Sequence, residues 1–303
     1  MIDLRVEVAG VTLRNPVMPA SGCFEITPEQ ERVFDPAILG AIVNKTLFLR
    51  ARKGNPPPRI WETPGGMLNS IGIPGQGVEA FIEHKLGALS ALGPPLIVSI
   101  AGNSVEEFCR IAGIIEETGK AQLLELNLSC PNLNDGLHWA TRKETLFEVV
   151  SAVTQATSLP VAAKLSPAVT DIVEMAATAR KAGAAALSLV NTFKGLAIDI
   201  EKKRPLLGNI TGGLSGPAIR PLALYCVYEV YKRVDIPIIG MGGITGWRDA
   251  VEFILAGATA VAVGMYNFVN PLVMAEVIEG IDRYLVANSF SKVKDIIGLA
   301  HRI

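Results

Sequence analysis

The sequence is poor in the residues that build metal sites, and neither sign of charge predominates. Its four cysteines, Cys23, Cys109, Cys130 and Cys226, include no Cys-x-x-Cys pair, and none of its 3 histidines stands at metal-ligand spacing. We therefore expect no zinc or iron–sulfur site, and no other bound metal, in this chain. With 28 basic and 29 acidic residues, the formal net charge of -1 offers no broad field for nucleic acid or an anionic membrane.

A long uninterrupted apolar run is also missing. Residues 253–275 carry no charge, but glycines, asparagines and a proline interrupt them, which predicts a helix end, a turn and a buried strand. The N-terminus lacks the apolar segment of a secretory signal. We expect a cytoplasmic protein with reduced thiols, in which no segment spans a membrane.

Short apolar segments recur along the chain at intervals that suit crossover helices. They have the nearly continuous apolar character of parallel strands buried on both faces. The segments are 16–20, 40–46, 95–100, 123–128, 160–165, 186–190, 237–240 and 260–264. These eight β/α units predict a closed (β/α)8 TIM barrel that occupies residues 1–303 as one domain. An open doubly wound sheet would need a Gly-x-Gly-x-x-Gly turn after its first strand, and none is present there.

Two further segments depart from this β/α alternation. Val6–Val8 and Val11–Leu13 alternate around Ala9-Gly10, which predicts a short N-terminal β-hairpin. Residues 48–77 are rich in glycine and proline and predict a long loop, of the kind that is usually functional or mobile.

Polar residues and glycines follow the predicted strands, at the end of the barrel where active sites lie. In chain order they are Ser21, Lys45, Thr46, Ser99, Asn127, Cys130, Asn132, Lys164, Asn191, Thr192, Gly242, Gly243 and Gly264. Polar groups without partners are costly to bury, so this recurrence indicates a ligand site rather than ordinary loops. The glycine turns after the seventh and eighth strands each precede a predicted helix and so favour phosphate binding.

Two lysines, Lys45 and Lys164, follow strands that point into this site. By residue type alone, each is compatible with an aldolase Schiff base, a point charge on an anion or flavin, or a rim position. Amide side chains surround them, at Asn69, Asn127, Asn132 and Asn191. An amide donates and accepts in one plane, which favours a planar imide-like ring as the ligand.

No histidine stands at a strand end, so a proton-abstracting group must be another residue. Cys130 follows a strand and precedes a glycine-containing loop, and its ordinary pKa of about 8.5 lies within reach of modest tuning. Cysteine is also a common small buried hydrophobe, which is how we interpret Cys109 and Cys226 on predicted helices.

Several sequence segments, taken together, form a combination of motifs that can be compared with known families. They are Pro19-Ala-Ser-Gly-Cys-Phe24, Lys45-Thr46, Gly66-Met-Leu-Asn-Ser-Ile-Gly-Ile73, Asn127-Leu-Ser-Cys-Pro-Asn132, Lys164-Leu-Ser-Pro167, Asn191-Thr192, Ile210-Thr-Gly-Gly-Leu-Ser-Gly-Pro217 and Ile239-Gly-Met-Gly-Gly243. Together they resemble the dihydroorotate dehydrogenase family over nearly the whole chain. Cys130, in place of the serine of membrane-bound relatives, and residues 210–217 resemble its NAD-linked class IB.

This resemblance implies an FMN enzyme that oxidises dihydroorotate to orotate in pyrimidine (UMP) biosynthesis. Cys130 would take the proton from C5 while hydride leaves C6 for flavin N5. The implied FMN contacts are Ser21, Lys45, Thr46, Ser99, Asn127, Lys164, Val190, Gly216, Gly242, Gly243, Gly264 and Met265. The implied substrate contacts are Lys45, Asn69, Ser70, Ile71, Gly72, Ile73, Asn127, Asn191 and Thr192.

The resemblance also implies a partner. Members of this class pass electrons to a second subunit that carries FAD and an iron–sulfur cluster and that reduces NAD. The expected assembly is a homodimer joined by two partner chains, a heterotetramer. Two places depart from the family pattern: Ser99 stands where asparagine is more common, and Met265-Tyr266 are bulkier than the usual small residues.

Three other functions are compatible with parts of the pattern. A dihydropyrimidine dehydrogenase-like FMN subunit would present the same amides to another cyclic amide. A Schiff-base aldolase would use Lys164 or Lys45 and bind no flavin. A non-catalytic barrel subunit would not explain the polar residues at the strand ends.

Overall fold

Eight parallel strands form the centre of the fold, which is a computed structural model that describes residues 2–25, 32–128 and 139–302. In chain order the strands are β1 Val17–Pro19, β2 Ile42–Val43, β3 Leu96–Ile100, β4 Leu123–Asn127, β5 Val161–Lys164, β6 Ala186–Leu189, β7 Ile238–Met241 and β8 Ala260–Val263. Their hydrogen-bonded order is β1-β8-β7-β6-β5-β4-β3-β2. The Gly40 amide donates to the Val17 carbonyl at 2.8 Å and brings β2 beside β1. The predicted TIM barrel is confirmed, and each predicted segment overlaps one strand.

Helices follow the strands and cover the outside of the barrel. They are α1, which runs through Val78–Phe81, Ile82–Leu86 and Gly87–Ser90, then α2 Val105–Glu117, α3 Lys143–Ala156, α4 Ile172–Lys181, α5 Arg220–Arg233, α6 Trp247–Leu255 and α7 Val273–Ala287. In the described ranges, no helix is both long enough and apolar enough to cross a membrane. The uncharged stretch 253–275 comprises the end of α6, strand β8 and the start of α7, as the sequence predicts.

Helix α2 shows how local sequence determines these elements. It begins where the Ser104 hydroxyl accepts a hydrogen bond from the Glu107 amide at 3.3 Å. Its buried residues, Phe108, Ile111, Ala112 and Ile115, recur at the spacing of one helical face. That face packs on a barrel whose strands, such as β3 and β8, are buried along their whole length.

The N-terminal hairpin is also confirmed. Val6–Val8 pairs antiparallel with Val11–Leu13, and Ala9 and Gly10 form the turn with φ of 53° and 80°. Positive φ at both turn positions matches the right-handed twist of the two strands. Val6, Val8 and Leu13 are buried and join the core.

The structure also contains a four-stranded antiparallel sheet outside the barrel. Its strands, in hydrogen-bonded order, are Phe193–Leu196, Thr211–Ser215, Gly66–Asn69 and Ile60–Thr63. Short strands also pair Arg50–Arg52 with Gly75–Gly77, and Ile198–Asp199 with Arg204–Pro205. The prediction of a loop over residues 48–77 was therefore wrong. These strands are short and contain glycine and proline, so they lack the alternation that identifies a strand in sequence.

Candidate active site

A cavity of about 340 Å³ opens at the carboxyl ends of the barrel strands. This volume lies within the range of small-molecule sites, and the position is the usual one for a TIM barrel. The antiparallel sheet supplies one wall through Met67, Asn69 and Ser215. Residues 48–77 therefore contribute to the cavity wall.

Most of the residues predicted for cofactor and substrate line this one cavity. From the predicted FMN set these are Ser21, Lys45, Thr46, Asn127, Lys164, Val190, Gly216, Gly242, Gly243, Gly264 and Met265. From the predicted substrate set these are Lys45, Asn69, Ile71, Gly72, Ile73, Asn127, Asn191 and Thr192. Cys130 lies outside the residues that the structure describes.

Two predicted residues stand behind the cavity wall. The Ser99 hydroxyl is fully buried, 2.9 Å from the Thr46 hydroxyl and 3.1 Å from the Glu125 carboxylate. The Ser70 hydroxyl is also buried and accepts from the Asn55 amide at 3.1 Å. Ser99 thereby contacts the cavity-lining Thr46, and neither serine is among the residues that line the cavity.

The glycine turn after β7 presses directly against the start of α5. Gly243 has a φ of +73°, and a Cβ there would lie 2.7 Å from the Arg220 Cβ. Gly242 has a φ of +130°, and its Cβ would lie 2.6 Å from that of Ala223. Only glycine fits both the conformation and the space. The backbone of this turn therefore lines the cavity without side chains, as a phosphate site requires.

A buried carboxylate fixes the end of the same turn. Asp249 on α6 accepts from both the amide and the hydroxyl of Thr245 at 2.7 Å, and its other oxygen accepts from Arg220. Arg220 also lies 3.5 Å from Glu252. These contacts join the turn to α5 and α6.

Amide side chains form a connected row across the cavity. The Asn191 amide nitrogen donates to the Asn127 oxygen at 3.3 Å, and the Asn127 nitrogen donates to the Thr46 hydroxyl at 3.1 Å. In the antiparallel sheet the Asn69 nitrogen donates to the Gly213 carbonyl at 3.2 Å. Each amide presents its donor and acceptor in one plane, which suits a flat ring bearing carbonyl and N–H groups.

The two lysines have different environments. Lys164 is only 5% exposed, and its Nζ lies 3.3 Å from the Ser21 hydroxyl and 3.5 Å from Glu125. Lys45 also lines the cavity, but it is exposed. Partial burial lowers the pKa of Lys45, Glu25 opposes this shift, and Lys85 and Arg59 lower it further.

Sequence reasoning missed several residues of the site. Glu125 is 3% exposed and contacts both Ser99 and Lys164, and its signal was a single carboxylate within an apolar strand. Cys23 lines the cavity, and burial raises the pKa of its thiol to about 11 although Lys164 opposes the shift. Large side chains at Ile60, Met67, Met241 and Phe268 complete the apolar part of the lining, together with Tyr266, which the sequence had marked as a departure from the family pattern. The ranges 2–25, 32–128 and 139–302 contain no group of three His, Cys, Asp or Glu that could hold a metal.

Known proteins resemble this chain over nearly its full length. A family profile described as dihydroorotate dehydrogenase matches residues 3–285. A protein of Geotalea uraniireducens is 49% identical over 297 residues, 98% of this chain and 97% of the relative. One of Desulforudis audaxviator is 49% identical over 302 residues, 99% and 98% of the two chains, and one of Caldicellulosiruptor saccharolyticus is 44% identical over 298 residues, 98% and 99%. All three are named "Dihydroorotate dehydrogenase B (NAD(+)), catalytic subunit".

Proposed function

The chain belongs to the dihydroorotate dehydrogenase family, and from this premise we propose that it oxidises dihydroorotate to orotate with bound FMN and passes the electrons toward NAD. The observation that carries the proposal is the combination, in one cavity, of a side-chain-free glycine turn and a row of connected amides. The turn suits a phosphate, and the amides suit a planar ring.

The residues present fit FMN. The close approach of Gly242 and Gly243 to α5 leaves backbone at the cavity wall where a phosphate would bind, near Gly216 and Gly264. The rest of the cofactor would then extend across the cavity toward Thr46, Lys164 and Asn127. FMN, when bound, supplies the acceptor for a hydride.

Protein groups do the remaining work. Cys130 is our proposed base, which removes the proton from C5 of dihydroorotate. A positioned general base is typically worth ~10²–10⁴ in rate. Asn69, Asn127 and Asn191 would orient the ring amides. Lys45, an exposed cation of the cavity lining, would bind the substrate carboxylate, and this contact would distinguish dihydroorotate from uncharged cyclic amides.

We further propose a partner subunit that carries FAD and an iron–sulfur cluster, in a heterotetramer built on a homodimer of this chain. The name "catalytic subunit" on the relatives supports a second subunit. The sequence contains no cysteine cluster and no dinucleotide fingerprint of its own that could carry electrons to a nicotinamide.

Absorption spectroscopy tests the proposal. The purified chain should be yellow, release FMN rather than FAD on denaturation, and bleach when dihydroorotate is added without air. Dihydrouracil, which lacks the carboxylate, should bleach it far more slowly. A colourless protein after incubation with FMN would refute the flavin assignment, and faster bleaching by dihydrouracil would favour the dihydropyrimidine alternative.

A second assay tests the partner. At equal FMN content, the isolated chain should reduce artificial acceptors with dihydroorotate but form little NADH. Adding a subunit with FAD and an iron–sulfur cluster should restore NADH formation. Full NAD-linked turnover by the chain alone would overturn the partner proposal.

A further inference from the structure

A closed ring of five hydrogen-bonded side chains lies at the floor of the cavity. Lys164 Nζ lies 3.3 Å from Ser21 Oγ, which is 3.3 Å from Thr46 Oγ1. Thr46 Oγ1 is 2.9 Å from Ser99 Oγ, Ser99 Oγ is 3.1 Å from Glu125 Oε1, and Glu125 Oε1 is 3.5 Å from Lys164 Nζ. The other carboxylate oxygen of Glu125 accepts from Ser188 at 2.8 Å. Each of the five comes from a different strand or strand end of the barrel.

The carboxylate of Glu125 determines the direction of every hydrogen bond in the ring. An ionised carboxylate only accepts, so Ser99 must donate to it. Because a hydroxyl has one hydrogen, Ser99 must then accept from Thr46, and Thr46 must accept from Ser21. Ser21 has used its hydrogen and accepts from Lys164, whose ammonium only donates.

This fixed direction reaches the cavity amides. The hydrogen of Thr46 is committed to Ser99, so Thr46 accepts from the Asn127 nitrogen at 3.1 Å. The Asn127 oxygen is thereby left to accept from Asn191 at 3.3 Å. The orientation of the Asn127 and Asn191 amides therefore depends on the Glu125 carboxylate, although Glu125 is not among the residues that line the cavity.

We propose that Glu125 is a positioning residue that orients this ring and balances the charge of Lys164, and that it thereby keeps the reduction potential of the bound flavin low. This inference rests on the proposed function, because it requires a flavin in the cavity. A reduced flavin carries more negative charge than an oxidised one, so an uncompensated ammonium beside it favours reduction. The buried carboxylate cancels much of that field.

The sign of the effect follows from the charges. Glu125→Gln leaves the Lys164 ammonium without its buried counter-ion and so stabilises the reduced flavin. The potential should rise, and electrons should pass less readily to a low-potential acceptor such as NAD. A structural role for Glu125 alone would lower stability and flavin content without raising the potential.

The test is a redox titration of the FMN-loaded chain against a reference dye. At the midpoint of the wild-type protein, Glu125→Gln should show a reduced-to-oxidised ratio at least tenfold higher, which for two electrons corresponds to about 30 mV. Ser188→Ala keeps the charge and removes only one hydrogen bond, and should shift the ratio less than threefold. Glu125→Asp retains the charge farther from Lys164 and should shift the ratio in the same direction but less. This variant replaces Glu125→Gln in the test if the glutamine variant does not fold.

The inference is overturned if the reduced-to-oxidised ratio of Glu125→Gln equals or falls below the wild-type ratio. If only Glu125→Asp folds, the same criterion applies to that variant. The proposed function fails separately: wild-type protein that takes up no flavin would overturn both proposals. Wild-type protein that binds FMN and is reduced by dihydroorotate, together with variants of unchanged potential, would overturn the role of Glu125 alone.

Discussion

The amide nitrogen of Asn191 lies 3.3 Å from the amide oxygen of Asn127, and this contact joins the ends of β4 and β6 across the cavity. The Asn191 oxygen accepts from the Thr192 amide at 2.7 Å, so its own orientation is held by the backbone. In the proposed function, a substrate ring with carbonyl and N–H groups would meet these two amides in this arrangement, and its recognition would depend on their pairing.

Asn191→Ala should weaken orotate binding by about 2- to 12-fold, because a typical neutral hydrogen bond contributes about 0.5–1.5 kcal/mol. Orotate is titrated into the flavin-loaded protein, and the perturbation of the flavin spectrum is followed. Asn288→Ala, at the exposed end of α7, is the matched control and should leave binding unchanged. Equal affinity in Asn191→Ala and wild type would remove this residue from the substrate site.

Cys130 is the proposed base, and its substitution should separate flavin binding from proton removal. Cys130→Ala should keep FMN but slow flavin reduction by dihydroorotate about 10²-fold or more. Stopped-flow absorbance in the absence of air measures this half-reaction. Cys109→Ala, half-buried on α2, is the control and should react at the wild-type rate. Similar rates in Cys130→Ala and wild type would refute the role, and loss of FMN would assign the residue to structure.

Most of the fold was predictable because parallel strands buried on both faces are apolar along their length, as in Leu96–Ile100 and Ala260–Val263. Most of the cavity lining was predictable for a related reason. Polar residues just after such strands, such as Lys45 and Asn191, must lie at the carboxyl end of the barrel, where the cavity is.

The direction of individual side chains was not predictable from sequence. Ser99 and Ser70 face protein rather than the cavity, because the pleat and tilt of each strand decide which side a residue faces. Glu125 was not predicted as a site residue because it lies within β4 and not after it. A buried carboxylate requires hydrogen-bond or ionic partners, and this requirement was the available signal. The antiparallel sheet pairs Gly66–Asn69 with Thr211–Ser215, and such distant pairing of glycine-containing strands leaves no local pattern.

Asp249 should control FMN affinity through the turn after β7, although it does not line the cavity. Asp249→Asn weakens charge-assisted hydrogen bonds, each worth roughly 1.5–3 kcal/mol, to Arg220 and Thr245. We expect the FMN dissociation constant to rise about tenfold, as measured by quenching of flavin fluorescence. Glu252→Gln removes the more exposed partner of Arg220 and should change affinity less than about twofold. Unchanged affinity in Asp249→Asn would show that the turn holds its shape without this carboxylate.

The pKa of Lys45 should give orotate binding a characteristic pH dependence. Burial lowers this pKa, Glu25 opposes the shift, and Lys85 and Arg59 add to it. The ammonium of Lys45, which we propose as the partner of the orotate carboxylate, is therefore lost at a lower pH than the ordinary lysine value of about 10.4. Orotate affinity should fall as the pH rises toward that value. Stability changes in the opposite direction: between the two pKa values the unfolded chain binds more protons at Lys45, so this residue makes stability rise with pH.

Two substitutions isolate this effect when orotate affinity is titrated between about pH 7 and 10. Lys45→Arg keeps its charge throughout that range and should hold its affinity to higher pH, because a guanidinium has a pKa above about 12. Lys85→Gln removes a neighbouring cation from Lys45 and should move the loss of affinity to higher pH, since less repulsion opposes protonation. If Lys45→Gln retains the full alkaline loss of affinity, another group is titrating, and the carboxylate contact belongs to a different residue.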